Sequence, residues 1–181
     1  MKPFLTVFLS VVVLGLPFSS QGSMRMRFYA INSADASSFE KDTSKLKVFL
    51  TQTNRSESLN IDKAWHGIHY LLTGSAKATR DPTSLAVLGG KEVGADLGYG
   101  PARLLSPSQV KQVAAVLKEQ TPEKLRAKYA PRSMEKLEIY PGIWVRDEDQ
   151  ARDYLLDYYQ KLARFYEQAA SAGQAVIITL T

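Results

Sequence analysis

The sequence contains no cysteine, and this absence excludes several classes of protein at once. Without thiols the chain cannot form disulfides, a thiolate metal site or a cysteine nucleophile, and it cannot carry a lipoprotein anchor on a lipidated cysteine. Histidine is scarce too, since His66 and His69 are the only two. A zinc site built from three histidines is therefore excluded as well.

Positive charge is present but not concentrated. The formal net charge is +5, and lysine and arginine are interleaved with aspartate and glutamate through the second half of the chain. Binding of nucleic acid needs a clustered basic surface rather than a modest net excess of charge. We therefore expect no nucleic-acid partner.

Complete cofactor and catalytic motifs are missing. Gly90-Lys91 is followed by Glu92 rather than by serine or threonine, so the phosphate-binding loop of nucleotide hydrolases is not formed. Gly98 and Gly100 lack the third glycine of the dinucleotide-binding fingerprint, and no Gly-x-Ser-x-Gly nucleophile elbow occurs. We predict no cofactor and no resident metal ion.

A long apolar run occurs only at the N-terminus, where residues 4–16 follow a charged start. The run is too short to span a bilayer, and Ser20-Gln21-Gly22 then offers the small residues that a signal peptidase reads. We predict a secretory signal peptide over residues 1–22, cleaved near Gly22-Ser23, and a periplasmic or secreted protein. The alternative is a translation start at Met24, which would give a cytoplasmic protein. Nothing downstream is apolar enough to insert the mature chain into a membrane.

Residues 23–181 are typical of a single globular α/β domain. Apolar residues make up 45% of the sequence and charged residues 23%, which are ordinary values for such a domain. Runs rich in β-branched or aromatic residues predict strands at both ends, over Arg27–Ile31 and Ala175–Leu180. Helices outnumber strands between them, so we expect a small sheet, with its first and last strands adjacent, covered by helices.

Three predicted helices have clear signals. Residues Ile61–Leu72 carry apolar side chains at helical spacing, and Gly74 ends that helix. Ser106 and Gln109 have the spacing of a capping box at the start of another helix. A long amphipathic helix covers Ala151–Ala169 and precedes the buried terminal strand.

Three segments of the sequence resemble the YfbM-like family, a group of small bacterial proteins classed as a domain of unknown function. They are residues 62–74 (DKAWHGIHYLLTG), residues 86–103 with their AVLGG and GYGPAR motifs, and residues 139–142 (IYPG). The resemblance extends from about Met24 to Thr181 and implies an α/β domain with a mixed sheet. It brings no established activity, substrate or catalytic residue.

The helix predicted over Ile61–Leu72 carries a polar stripe beside its buried face. Asp62, His66, His69 and Thr73 are spaced i, i+4, i+7 and i+11, which puts them on one side of the helix. Two imidazoles and a carboxylate can bind a divalent metal, and one imidazole can act as a general base. The alternative is structural: His69 packs at the edge of the core and bonds a backbone carbonyl, while His66 faces water.

A second candidate element is the glycine-rich connection Gly89–Pro101. Its amides can cradle an anion while Lys91 or Arg103 supplies positive charge, or it can be a loop whose tight turns need positive φ angles. Tyr99 and Arg103 beside it can clamp a planar or anionic group.

These patterns define two sets of candidate site residues. The catalytic candidates are His69, Asp62 and Arg103. The ligand-binding candidates are Trp65, His66, Tyr99, Arg103 and Tyr140. No metal-ligating residue is assigned.

The last predicted helix holds more tyrosines than one buried stripe needs, namely Tyr154, Tyr158, Tyr159 and Tyr166. We expect part of this aromatic surface to face outward, where tyrosine favours protein interfaces, the alternative being packing under long loops.

Together with the leader and the missing catalytic motifs, the tyrosine surplus predicts an exported binding module that recognises another protein, as an inhibitor or immunity-type factor. The alternative is a small hydrolase or transferase with a pocket between the His69 helix and the Tyr99–Arg103 loop. Whether the protein is an enzyme stays open at this point.

Overall fold

The computed structural model describes residues 23–52 and 57–181, so the leader predicted over residues 1–22 lies outside the described residues. The described strands are β1 (Met26–Ile31), β2 (Ser58–Asn60), β3 (Lys91–Asp96), β4 (Pro101–Leu105) and β5 (Ala175–Leu180). The described α-helices are α1 (Ser33–Lys41), α2 (Thr43–Thr51), α3 (Trp65–Thr73), α4 (Leu85–Leu88), α5 (Pro107–Lys118), α6 (Pro122–Lys128), α7 (Pro131–Lys136) and α8 (Trp144–Ser171). The expected α/β fold is confirmed.

The strands form one sheet in the order β2-β1-β5-β4-β3. The first and last strands are adjacent, as predicted, with Phe28 opposite Ile178. All four described pairings are antiparallel, whereas the resemblance implied a mixed sheet. Adjacent antiparallel strands place the start of β1 and the end of β5 at one end of the sheet.

Helices cover both faces of the sheet. Successive strand residues point to opposite faces, so Ile177 packs with Phe39 and Phe49 of α1 and α2. Its neighbour Ile178 packs with Phe28 beneath the layer that contains α3, α5 and α8. Both layers exclude water from the central strand β5, and this apolar burial is the main stabilising contribution to such a fold.

The structure confirms two local signals of the sequence, a helix start and a helix end. Ser106 and Gln109 make the capping box that begins α5. Gly74 ends α3 with a φ angle of 72°, a conformation that glycine adopts without strain. In the described part of the chain, no helix is both long and apolar enough to cross a bilayer.

The glycine-rich connection Gly89–Pro101 is largely a strand rather than a loop. It contains β3, which pairs with β4 as a hairpin and has an irregular register between Val93 and Asp96. Gly94 adopts a φ angle of 84° inside this irregularity. Val93 is the one buried residue of β3, so its sequence shows no alternation of apolar and polar residues.

The tyrosines of α8 face outward less than the sequence predicted. Tyr159 and Tyr166 are buried, and Tyr154 and Tyr158 are half-buried. The hydroxyl of Tyr166 donates to the Ala86 carbonyl at 2.9 Å. Because α8 is covered by several shorter helices and loops, its aromatic residues pack inward on more than one side.

Candidate functional site

Asp62 lies in a short 3-10 turn, Asp62–Ala64, just before α3. It has a positive φ angle of 49°, and its backbone N–H donates to the side chain of Asn60 at 2.8 Å. Its carboxylate forms an ion pair with Nε of Arg25 at 3.1 Å and accepts a hydrogen bond from the Tyr154 hydroxyl at 3.2 Å. Burial raises the pKa of Tyr154, and the Asp62 charge adds to the effect. No pattern in the sequence indicates Arg25 or Tyr154 as partners of Asp62.

His66 uses both ring nitrogens in internal hydrogen bonds. Its Nδ1 accepts from the backbone N–H of Tyr140 at 3.0 Å, so the ring proton lies on Nε2, which donates to the Ala76 carbonyl at 2.8 Å. Burial lowers the pKa of His66, which favours this neutral form. His66 is therefore half-buried with both ring nitrogens bonded internally, whereas the structural alternative had this residue facing water.

His69 is fully buried and its Nε2 lies 2.9 Å from the Lys77 carbonyl, to which it donates. Burial lowers the pKa of His69 as well. This geometry matches the structural alternative, in which His69 bonds a backbone carbonyl. His66 and His69 thus hold two consecutive carbonyls of the loop that follows α3.

Two polar atoms of α3 are buried without a hydrogen-bond partner in the described part of the chain: Nε1 of Trp65 and Nδ1 of His69. Neither atom belongs to a group of side chains that could bind a metal ion. Within residues 23–52 and 57–181, no group of three or more histidine, cysteine, aspartate or glutamate side chains is arranged to hold a metal ion.

Trp65 is the centre of an aromatic stack. Its ring lies 4.7 Å from the His66 ring at an interplanar angle of 7°, and 6.1 Å from the Tyr140 ring at 25°. The Tyr140 hydroxyl accepts a hydrogen bond from the backbone N–H of Met24 at 3.1 Å, at the entry to β1. The stack therefore ties α3 to the 137–143 segment and to the start of the sheet.

Tyr99 lies in the turn between β3 and β4 and is 41% exposed. This turn is at the same end of the sheet as the stack, because the starts of β1 and β4 both flank the end of β5. Burial raises the pKa of Tyr140, and the Asp62 carboxylate and the Tyr99 hydroxyl raise it further through proximity. We call Trp65, His66, Tyr99 and Tyr140, with the Arg25–Asp62 ion pair beside them, the aromatic end of the sheet. The structure thus brings together four of the five predicted ligand-binding residues.

Arg103 is the fifth predicted ligand-binding residue, and its described partners do not belong to the aromatic end. Its guanidinium donates to the Leu88 carbonyl at 2.7 Å and forms an ion pair with Glu92 at 3.3 Å. These bonds attach β4 to the end of α4 and to β3, which is a structural use of the side chain.

The turn after β3 is closed by its own carboxylate. Oδ1 of Asp96 accepts the backbone N–H groups of Gly98 at 2.6 Å and Gly100 at 3.0 Å. These bonds lower the pKa of Asp96. Two amides that an anion would need are therefore already paired, which favours the tight-turn interpretation.

Comparison with known proteins agrees with this fold. A family model described as "Domain of unknown function (DUF1877)" matches residues 23–179. A solved structure of a protein of unknown function, YfbM from Escherichia coli, superposes with a TM-score of 0.71 at 23% sequence identity, over 87% of this chain and 99% of that one. No curated protein matches. The chain therefore belongs to the DUF1877 family, and the predicted resemblance to YfbM-like proteins is confirmed.

Proposed function

We propose that this domain is an exported binding module that recognises another protein through the aromatic end of its sheet. The observation that carries the proposal is the pair of exposed residues Tyr99 and Arg25 beside the half-buried ring of Tyr140, which stacks on buried Trp65. Tyrosine, tryptophan and arginine are the residues most enriched at the energetic centres of protein interfaces.

Internal contacts hold Tyr140 in place at the aromatic end. Tyr140 is held by ring stacking on Trp65, by its N–H bond to His66 and by its hydroxyl bond from Met24. A surface that is already ordered loses little conformational entropy on binding, so more of the contact energy appears as affinity. This order supports recognition of a partner of fixed shape.

The same contacts count against the hydrolase or transferase alternative. A histidine that acts as a general base needs a ring nitrogen within reach of the substrate proton, and a carboxylate base needs a free oxygen there. Asp62 is already paired with Arg25 and Tyr154. His66 already uses both nitrogens, His69 is fully buried, and the Arg103 guanidinium bonds Leu88 and Glu92. The candidate catalytic residues thus have structural partners, which favours binding over catalysis.

Site-specific photo-cross-linking in the native host tests the proposal. A benzophenone amino acid is placed at Tyr99 in one variant and, as a matched control, at Val48 in another. Val48 is 60% exposed on α2, which packs against the opposite face of the sheet. We expect a discrete adduct with another protein at position 99 and none at position 48. Equal labelling at both positions, or no adduct at 99, would contradict the proposal.

A further inference from the structure

A groove of about 470 Å³ lies between α8 and the sheet edge formed by β1 and β2. It borders Ala30, near the end of β1, whereas the aromatic end adjoins the start of that strand. The two sites are therefore at opposite ends of β1 and share no residue. The volume lies within the range of about 300–1,000 Å³ that is usual for small-ligand sites.

One side of α8 forms a wall of this groove. Lys161, Arg164, Phe165 and Gln168 line it at spacings of i, i+3, i+4 and i+7, which places them on one side of the helix. The half-buried ring of Phe165 lies 6.1 Å from the ring of buried Phe28. The wall therefore combines a fixed apolar surface with two flexible cations.

Neither cation has a carboxylate partner within residues 23–52 and 57–181. Among the ion pairs of the described residues, none includes Lys161 or Arg164. The Lys161 ammonium lies 4.8 Å from the Tyr158 ring centroid, a contact that leaves its charge in place. The groove's own carboxylate, Glu57, lies on the strand side and accepts a hydrogen bond from Gln174 at 3.0 Å.

We propose that this groove binds an elongated organic carboxylate. The acid group lies at Lys161 and Arg164, since a guanidinium and an ammonium both make charge-assisted bonds to carboxylate oxygens. The apolar part of the ligand lies along Phe165. Glu57 on the opposite wall repels a second acid group, so the groove selects molecules with one acidic end. This inference goes beyond the protein-recognition function and uses none of its residues.

Lys161 and Arg164 differ in whether they also line a neighbouring depression. Arg164 also borders the smaller depression between α8 and α5, together with Lys118. Lys161 lines the groove and is absent from the lining of that depression. Lys161 is therefore the side chain to test, and Lys118 is its matched control on the neighbouring surface.

Titration of the 15N-labelled domain, followed by amide chemical shifts in NMR, provides the test. The probes are 4-phenylbutyrate and its uncharged isostere, 4-phenyl-1-butanol. We expect saturable shifts at residues 57–59 and 164–174 with 4-phenylbutyrate, and about fivefold weaker binding of the alcohol. Lys161→Gln weakens binding of the acid by about fivefold, while Lys118→Gln leaves it unchanged.

Three results would overturn the inference. One is the absence of saturable shifts at these amides up to about 10 mM 4-phenylbutyrate. Another is equal affinity for the acid and the alcohol, which would mean that the cations take no part. A third is an equal loss of affinity in Lys161→Gln and Lys118→Gln. Because both lysines are exposed, the spectra of the variants should otherwise superpose on that of the parent domain.

Discussion

The backbone N–H of Tyr140 donates a hydrogen bond to Nδ1 of His66, joining two residues that are 74 positions apart in the sequence. On its other side the same ring donates from Nε2 to the Ala76 carbonyl. His66 thus connects α3 with the loop that follows it and with the distant 137–143 segment. Since a protonated Nδ1 cannot accept a hydrogen bond, this connection requires a neutral ring.

The free energy of unfolding should therefore fall in mild acid. Burial holds the pKa values of His66 and His69 below the ordinary value of 6.5 in the folded state. The unfolded chain then binds more protons than the folded one once the pH drops below about 6.5. Stability is complete above that pH and is lost as the pH falls toward the lowered folded-state values. Urea unfolding between about pH 7.5 and about pH 5.5 measures the loss.

The chain provides its own control, because it has no other histidine. The double variant His66→Gln, His69→Gln should be less stable throughout and should lose most of the pH dependence in this window. If the variant and the parent show the same slope, groups other than the two histidines are responsible and the neutral-ring interpretation is wrong.

Glycine at position 138 should stabilise the domain. Glu138 is exposed, follows the end of α7 and adopts a positive φ angle of 53°, which disfavours a residue with a Cβ atom. We expect Glu138→Gly to raise the free energy of unfolding by about 1 kcal/mol, measured by urea denaturation.

Asp62→Gly is the matched comparison, because Asp62 also has a positive φ angle, of 49°. Here the relief of strain is offset by loss of the ion pair to Arg25 and of the Tyr154 hydrogen bond. We expect no gain in stability. A similar gain in both variants would mean that the Asp62 contacts contribute little.

Gly67 permits the close approach of α3 and α8. A Cβ atom there would lie 2.6 Å from Cδ2 of Leu155 and 2.7 Å from Cη2 of Trp144. Overpacking of this kind costs about 1–3 kcal/mol, more than the helix propensity of about 1 kcal/mol that alanine gains over glycine. Gly67→Ala should therefore lower the urea midpoint.

A double-mutant cycle identifies the cause of that loss. Leu155→Ala removes the clashing methyl groups, so it should destabilise the Gly67→Ala background less than the parent domain. Strictly additive effects would show that Gly67 serves some purpose other than this contact.

Export is tested by N-terminal sequencing of the protein recovered from its host. We propose that the recovered chain begins at Ser23, in an envelope or secreted fraction. Recovery of the intact chain from the cytosol, or of a chain that begins at Met24, would contradict export. Either start preserves the backbone pairing of Arg25 with Thr181, so the fold is expected to be the same.

How far the sequence predicts this structure depends on how local each signal is. The capping box at Ser106 and the stop at Gly74 depend on neighbouring residues, and both are present. The sequence does not predict strand β3, because β3 is an edge strand with one buried side chain, Val93, and a glycine at its irregularity. Its identity depends on pairing with β4, which no periodicity reveals.

In the candidate site, too, the sequence predicts local groupings but not long-range partners. Helical spacing groups Asp62, His66 and His69, but Asp62 and His66 have partners from distant segments, namely Arg25 and Tyr140. Long-range pairs of this kind are set by tertiary packing, so a single sequence contains no pattern for them. The aromatic ligand candidates came together because packing stacked Tyr140 on Trp65.

The most direct test of the central claim is affinity capture of the tagged protein from its host in three forms: parent, Tyr99→Ser and Val48→Ser. Both substitutions replace an exposed side chain, one at the aromatic end and one on α2. If the aromatic end recognises another protein, the parent and Val48→Ser should recover the same stoichiometric partner, and Tyr99→Ser should recover at least about fivefold less, as expected for an interface tyrosine. Full recovery by Tyr99→Ser, or no stoichiometric partner for the parent, would contradict it.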